Sequence, residues 1–389
     1  MADATKAVRA DFYKRKLRIK PGRKQSGAAG TSSEQTVARL RERDAWPDRP
    51  RRVKVIETHR SWVFLTARYA WKLKKPSRYE AVDLRSIVAR KRNCDTELRL
   101  NRRLSPSVYL GLVPLTLGAD GIIRVDGSGK VVDWLLKMRR LPAELMLDRA
   151  LARGAVQESD TVRIVRKLST FYRSLPRSSL SESAYHAHFL SEIARNERVL
   201  ARIMIHRSCE VRLLCAIQRA LLAGLADRLG RRVADGWIRA CHGDLRPEHV
   251  CLTRPVALID CLEFSEPLRT IDVLDEAGFL ALECEHLGAY TVGSALLAAY
   301  GALMHDPVNA GLLHFYQSIR ATVRARLAAA HLLEPRVGRA RHWRRQALAY
   351  LAIGATHARE CVAALQTDAQ VPLSVLSFNG VAGDLLRCV

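Results

Sequence analysis

"CHGDLRPEHVCL", Cys241–Leu252, sets a histidine, an aspartate, an arginine and a second histidine within eight residues, between apolar flanks. Packing alone gives no reason for such a density, because ionisable groups taken out of water are costly unless paired. Downstream, "LTRP" reads as a turn, and a second apolar run follows in "VALIDCLEF", Val256–Phe264, so the two stretches are expected to form a short hairpin. A charged loop beside a hairpin, set between blocks of helical periodicity, is where chemistry is expected.

Upstream, from Val53, the texture is of short strands: "VKVIET", "WVFLTA" and "YAWKLKK", the first two joined by the polar turn "THRSW". An amphipathic helix is expected over 82–106, with Leu84, Ile87, Val88, Leu98, Leu100 and Leu104 as its apolar residues and Pro106 at its end. "YLGLVPLTLG" and "KVVDWLLKM" add two strands across a turn-rich link. The expectation is a small sheet with one helix over 51–138, then a helical region over 139–389 that holds the loop 241–252 and the segment 257–264. Residues 1–50 are polar, basic and broken by "PGRKQSGAAGTSS", and read for the most part as a flexible tail, with a short helix at "EQTVARLRER" leading into the body and closed by Pro47 and Pro50.

The bulk properties narrow the function classes. With 389 residues and 48% hydrophobic content, the chain can build two lobes with real cores. No apolar run approaches the ~18 residues a membrane span needs, and no secretory leader is evident, so a cytoplasmic protein is expected. Nine scattered cysteines without a C-x-x-C pair indicate neither a disulfide framework nor a zinc site. The net charge of +25 invites a nucleic-acid partner, but arginine is spread along the whole chain and no lysine follows Lys167, so a dedicated nucleic-acid role is disfavoured. A neutral or anionic ligand suits such a surface better than a polycation, although Glu263, Glu266, Asp275, Glu283 and Glu285 keep a locally acidic cleft open.

"HGDLRPEH", Asp260 sixteen residues past Asp244, "YAWKLK" in the upstream sheet and Glu97 in the helix after it stand in the order of a known constellation. Together they resemble the aminoglycoside and choline phosphotransferase family, in particular its uncharacterised bacterial branch. The resemblance implies an α+β, two-lobed protein-kinase-like fold with a small β-rich N-lobe and a large helical C-lobe. It also implies an ATP-dependent kinase that phosphorylates a hydroxyl of a small molecule with Mg²⁺. Lys72 matches the lysine that contacts the α- and β-phosphates, Glu97 its ion-pair partner, Asp244 the catalytic aspartate and Arg246 a basic residue facing the γ-phosphate. Asp260 matches the metal-binding aspartate, His242 a residue that braces the loop and Asp272 the aspartate that supports it from the following helix, where Glu276, one turn on, either does the same or caps. Lys74 shares a strand face with Lys72 and is its alternative. The adenine is expected against main-chain groups of about Met138 to Arg140, and Ser61 is the candidate phosphate contact in a turn that carries no glycine.

One position departs from the family pattern: His249 stands where an asparagine usually ligates the second metal. Either it ligates a metal such as Mn²⁺, or it holds Asp260 while Glu263 supplies the missing oxygen, or catalysis is weakened. The second reading is preferred, and because the histidine belongs to the pattern of the bacterial branch, simple decay is disfavoured. Some relatives carry a further P-loop domain, which the absence of lysine after Lys167 argues against here. Two other functions stay open: a nucleotide-binding regulatory module without transfer activity, and a basic nucleic-acid-binding protein.

Overall fold

The computed structural model describes residues 33–78, 82–333 and 339–367. The part of the expected tail before residue 33, and the parts of the expected helical region at 334–338 and after 367, lie outside the described residues. In chain order the first elements are α1 (Ser33–Arg39), β1 (Lys54–Glu57), β2 (Ser61–Leu65), β3 (Tyr69–Lys74), α2 (Ile87–Arg102), β4 (Tyr109–Leu117), β5 (Ile123–Val125) and β6 (Lys130–Arg139). The strands form one antiparallel sheet in the order β1-β2-β3-β6-β4-β5.

Strand alternation gives this sheet two different faces. Phe64, Trp71, Leu73, Leu115 and Leu135 point to one side, where they bury Leu40, Ala45 and Trp46. The Trp46 ring lies 5.2 Å from Trp71 and 5.8 Å from Phe64, and its Nε1 donates to the Leu40 carbonyl at 3.1 Å. Residues 33–50, assigned to the tail by their polar composition, therefore close one face of the sheet: Leu40 and Trp46 supply apolar area that the composition of the segment as a whole conceals. On the other face, Lys72 and Lys74 look toward α2 and the cleft.

α2 begins where Ser86 caps it, its side chain accepting from the Ala89 amide at 3.1 Å. Its inward face is polar, made of Arg90, Asn93, Cys94, Glu97, Leu100 and Asn101. Of the residues expected on the apolar face, Leu84, Leu100 and Leu104 are buried, whereas Ile87 and Val88 are 39% and 61% exposed. The helix turns this way because it packs against the charged side of the sheet rather than against a hydrophobic core.

After β6 come α3 (Leu147–Ala152), α4 (Glu158–Ser174), α5 (Glu182–Ile203), α6 (Ser208–Gly224), α7 (Ala226–Ala234) and β7 (Ile238–Ala240). The hairpin follows as β8 (Val250–Cys251) and β9 (Ala257–Leu258), paired antiparallel with Val250 opposite Leu258. Then come α8 (Glu266–Arg269), β10 (Thr270–Asp272), which pairs with β7, and the helices α9 (Val273–His286), α10 (Tyr290–Met304), α11 (Ala310–Ala330) and α12 (Ala340–Gln366). One large apolar cluster, running from Leu104 to Leu365, joins these helices. Among the described residues no helix is long and apolar enough to cross a membrane.

Candidate active site

The segment His242–His249 is held open by contacts that each use a named polar group. Gly243 has φ +85, and a Cβ there would meet Arg269 Cβ at 2.7 Å, so glycine is required both by conformation and by space. Buried Glu276 caps the turn from α9: its carboxylate accepts from the Gly243 amide at 2.6 Å, the His242 amide at 3.2 Å and the Tyr172 hydroxyl at 3.0 Å. The bracing that the resemblance implied for Asp272 thus falls to Glu276, one turn further on. Asp272 caps α9 through the Leu274 amide at 2.9 Å, accepts from the Tyr316 hydroxyl at 2.9 Å and accepts from Nη2 and Nε of the buried Arg232 guanidinium at 2.6 and 2.7 Å. With Arg232 forty residues upstream, nothing in local spacing marks that partnership.

His242 spans two backbone segments. Its Nε2 donates to the Ile259 carbonyl at 2.8 Å while Nδ1 accepts from the Asp244 amide at 3.3 Å. Burial, reinforced by the adjacent His249, holds this imidazole down to about 4, so it is neutral at physiological pH. Unfolded, the same ring titrates near 6.5, so below that pH the unfolded chain binds a proton that the folded chain refuses. The stability contributed is present in full above pH 6.5 and is lost as the pH falls toward 4, roughly 2 kcal/mol of it between pH 7 and 5. Urea unfolding of the wild type and of His242→Asn at those two pH values checks this: the variant should lose less stability on acidification, and equal losses would contradict it.

His249 Nδ1 donates to the Asp244 carbonyl at 2.7 Å. That bond turns the Nε2 lone pair into the cleft, where it accepts from Arg246 Nη2 at 3.3 Å and lies 3.7 Å from Asp260 Oδ2. The last separation is too long for the hydrogen bond to Asp260 that the preferred reading of His249 required. Arg246 Nε sits 3.1 Å from Asp244 Oδ1 and its Nη1 2.5 Å from Glu248 Oε1. Burial opposes the charge on Asp244, but the Arg246 guanidinium and the His249 and Arg324 side chains outweigh it and keep the carboxyl below its ordinary range.

Across the cleft, Lys72 Nζ donates to Glu97 Oε1 at 2.8 Å and to Asp260 Oδ1 at 2.6 Å, joining strand, helix and segment across sequence separations of 25 and 188 residues. Asp260 adopts the left-handed conformation, φ 63, sparsely populated for a residue with a Cβ, and its amide donates to the Tyr109 hydroxyl at 2.9 Å. Its side chain remains 44% exposed. Desolvation works against its charge, yet the ammonium of Lys72, with His249 and Lys74 nearby, holds the Asp260 carboxyl far below the usual carboxylate range. Lys74, the alternative to Lys72, pairs with the second Glu97 oxygen and at 2.7 Å with Glu263 Oε1.

The remaining expected residues lie around this centre. Ser61 is fully buried opposite Lys74; its amide donates to Thr58 Oγ1 at 3.0 Å, and its hydroxyl has no hydrogen-bond partner among the described residues. Beside it the Arg60 guanidinium stacks 3.7 Å from the centre of the Phe264 ring, bringing the glycine-free turn over the segment that carries Asp260. Met138 is half buried in β6, next to Leu141, Met146 and Ile259, where the sheet meets the hairpin. The Arg139 and Arg140 amides donate to the Val108 and Arg68 carbonyls at 2.8 and 3.0 Å, so a base at this edge would have to use other groups.

Among the described residues no three or more His, Cys, Asp or Glu side chains converge at metal-holding geometry. Asp260 and His249 nonetheless offer an oxygen and a nitrogen lone pair to the same space. The carboxylate fits a divalent cation whose remaining positions come from phosphate oxygens and water, as Mg²⁺ is held at a phosphate, whereas the imidazole, which here accepts from Arg246, suits a softer cation better. Glu263 would join it only by giving up Lys74.

No family model matches the chain. Uncharacterised proteins of Mycobacterium tuberculosis and Mycobacterium bovis are each 30% identical to it over 282 residues, 71% of this chain and 54% of theirs. The chain thus spans about half the length of the curated relatives it matches. Among solved structures, a choline/ethanolamine kinase family protein from Mesorhizobium loti superposes with a TM-score of 0.50 at 15% identity, covering 86% of this chain and 99% of that one. At that identity the likeness speaks to architecture: the fold is the two-lobed, protein-kinase-like one expected from the sequence.

Proposed function

We propose that the chain is an ATP-dependent phosphotransferase that moves the γ-phosphate to a hydroxyl of a small molecule. The observation that carries this reading is the run of contacts Glu97–Lys72–Asp260, which brings sheet, helix and hairpin segment to the cleft that Asp244 and Arg246 face from the helical side. A fold can be shared without its activity, so the reading rests on these side chains and not on the likeness.

In this account Asp244 accepts a hydrogen bond from the acceptor hydroxyl and aims its oxygen at the γ-phosphorus. The new O–P bond forms as the bond to the β,γ-bridging oxygen breaks, and the hydroxyl proton passes to the Asp244 carboxylate. A carboxyl held below its ordinary range is a weak base, so that proton moves late, as suits a loose transition state. Arg246 grips phosphate oxygens with the arm it now gives to Glu248. Lys72 leaves Asp260 for the α- and β-phosphates, and the half-buried apolar groups Met138, Leu141, Met146 and Ile259 receive the base. Asp260 and His249 would hold Mg²⁺ or Mn²⁺, which when bound neutralises phosphate oxygens.

His249 in place of the usual asparagine keeps one alternative in view, a nucleotide-binding module that does not transfer phosphate. Supplying ATP, Mg²⁺ and a panel of amino alcohols, amino sugars, sugars and hydroxy acids separates the two. Phosphorylated product from at least one acceptor, detected by mass, is expected; ATP binding without transfer to any acceptor would favour the module.

A further inference from the structure

We propose that Lys74 is a positioning residue for the nucleotide: it holds Glu97 and Glu263 so that Lys72 is free to leave Asp260 for the phosphates. The proposal rests on the phosphotransferase reading and assigns a role to a side chain that this reading does not use.

The geometry divides the labour between two lysines of one strand face. Fully buried Glu97 gives Oε1 to Lys72 at 2.8 Å and Oε2 to Lys74. Beyond Glu97 the two lysines part. Lys72 reaches Asp260, whose side chain is 44% exposed, whereas Lys74 reaches Glu263, whose side chain is 10% exposed. The lysine side chains follow suit, 15% exposed for Lys72 and 3% for Lys74. Lys72 therefore faces the cleft and Lys74 the interior.

A buried lysine in a sheet is expensive and needs compensation. Here two ammonium groups meet three carboxylates, and the carboxylate left least enclosed is Asp260, the one that faces the cleft. If Lys72 alone served this cluster, one ammonium would have to satisfy buried Glu97 and Glu263 as well as the phosphates of a nucleotide. With Lys74 in place, Glu97 keeps a partner throughout, and Glu263 has no call on Lys72. Without Lys74, Glu97 and Glu263 would both compete for Lys72 and hold it away from the phosphates.

ATP affinity, measured by calorimetry with Mg²⁺ on the whole chain, tests this through rescue. Lys74→Met is expected to weaken ATP binding about tenfold, and Lys74→Met/Glu263→Gln, which removes both members of the buried pair, to return to within about threefold of wild type. Lys72→Met should lose at least about tenfold, as the lysine that touches phosphate. Unchanged affinity in Lys74→Met would overturn the proposal, since a purely structural lysine alters stability and not the affinity of the folded protein. Should that variant fail to fold, Lys74→Gln takes its place: a loss of about tenfold that Lys74→Gln/Glu263→Gln recovers supports the proposal, and unchanged affinity in Lys74→Gln, or a loss the double variant does not recover, overturns it. A wild-type chain that binds no ATP would overturn the phosphotransferase reading as well, whereas wild-type binding with the wrong pattern among variants overturns only the role of Lys74.

Discussion

Asp244→Asn is expected to lower phosphoryl transfer by about 10²- to 10⁴-fold while leaving ATP affinity within about threefold of wild type. The loop does not depend on this carboxylate for its shape. Its backbone is tied through the Asp244 amide to His242 and through the Asp244 carbonyl to His249, and both contacts survive the substitution. What disappears is the anion beside Arg246, and with it the only proposed acceptor for the hydroxyl proton. Removing a negative charge near the phosphates would, if anything, tighten ATP binding, so a fall in turnover cannot be ascribed to lost substrate. Single-turnover rates with saturating ATP, together with calorimetric affinities, check both halves. Wild-type turnover in the variant would remove Asp244 from the mechanism; a parallel collapse of affinity would make it a binding residue.

The parts of the site that could be read from sequence are those in which chemistry and spacing are local. His242, Asp244, Arg246 and His249 share one loop, and strand alternation alone sets Lys72 and Lys74 on one face, opposite Trp71 and Leu73. What escaped reading depends on packing between distant segments. Asp272 and Glu276 are one turn apart at the start of a helix, and which of them meets the loop is decided by Arg232, whose guanidinium engages Asp272 and also Asp306. Apolar periodicity locates only part of the inward side of α2: Leu84, Leu100 and Leu104 are buried, but most of the residues between them that face inward are polar. Ile87 and Val88 face solvent, while Arg90 is held between Asp133 and the Leu84 carbonyl, and Asn101 meets the Cys261 amide. A helix that builds one wall of a charged cleft buries polar residues, and hydrophobic periodicity is blind to that. Residues 33–50 show the converse, a polar segment anchored by Leu40 and Trp46; the tryptophan was the available signal.

Asp260→Ala is expected to abolish the gain in ATP affinity that Mg²⁺ confers. Its placement suits the metal-holding role proposed for it: its backbone is held in the left-handed region, its amide is fixed by Tyr109, and its carboxylate is partly exposed between Lys72 and His249. In the metal-free protein Asp260 competes with phosphate for Lys72, so the alanine variant should bind ATP in chelator no more weakly than wild type does. A loss seen with metal and absent without it separates a metal-holding carboxylate from one that merely supports the cleft.

The most direct test of the central claim is therefore a calorimetric titration of ATP into the wild type and Asp260→Ala, each with Mg²⁺ and with chelator. The account predicts saturable binding by the wild type, tighter by at least about tenfold with Mg²⁺, and no such gain in the variant. Absence of saturable ATP binding under every condition would contradict the claim that this cleft is a nucleotide site.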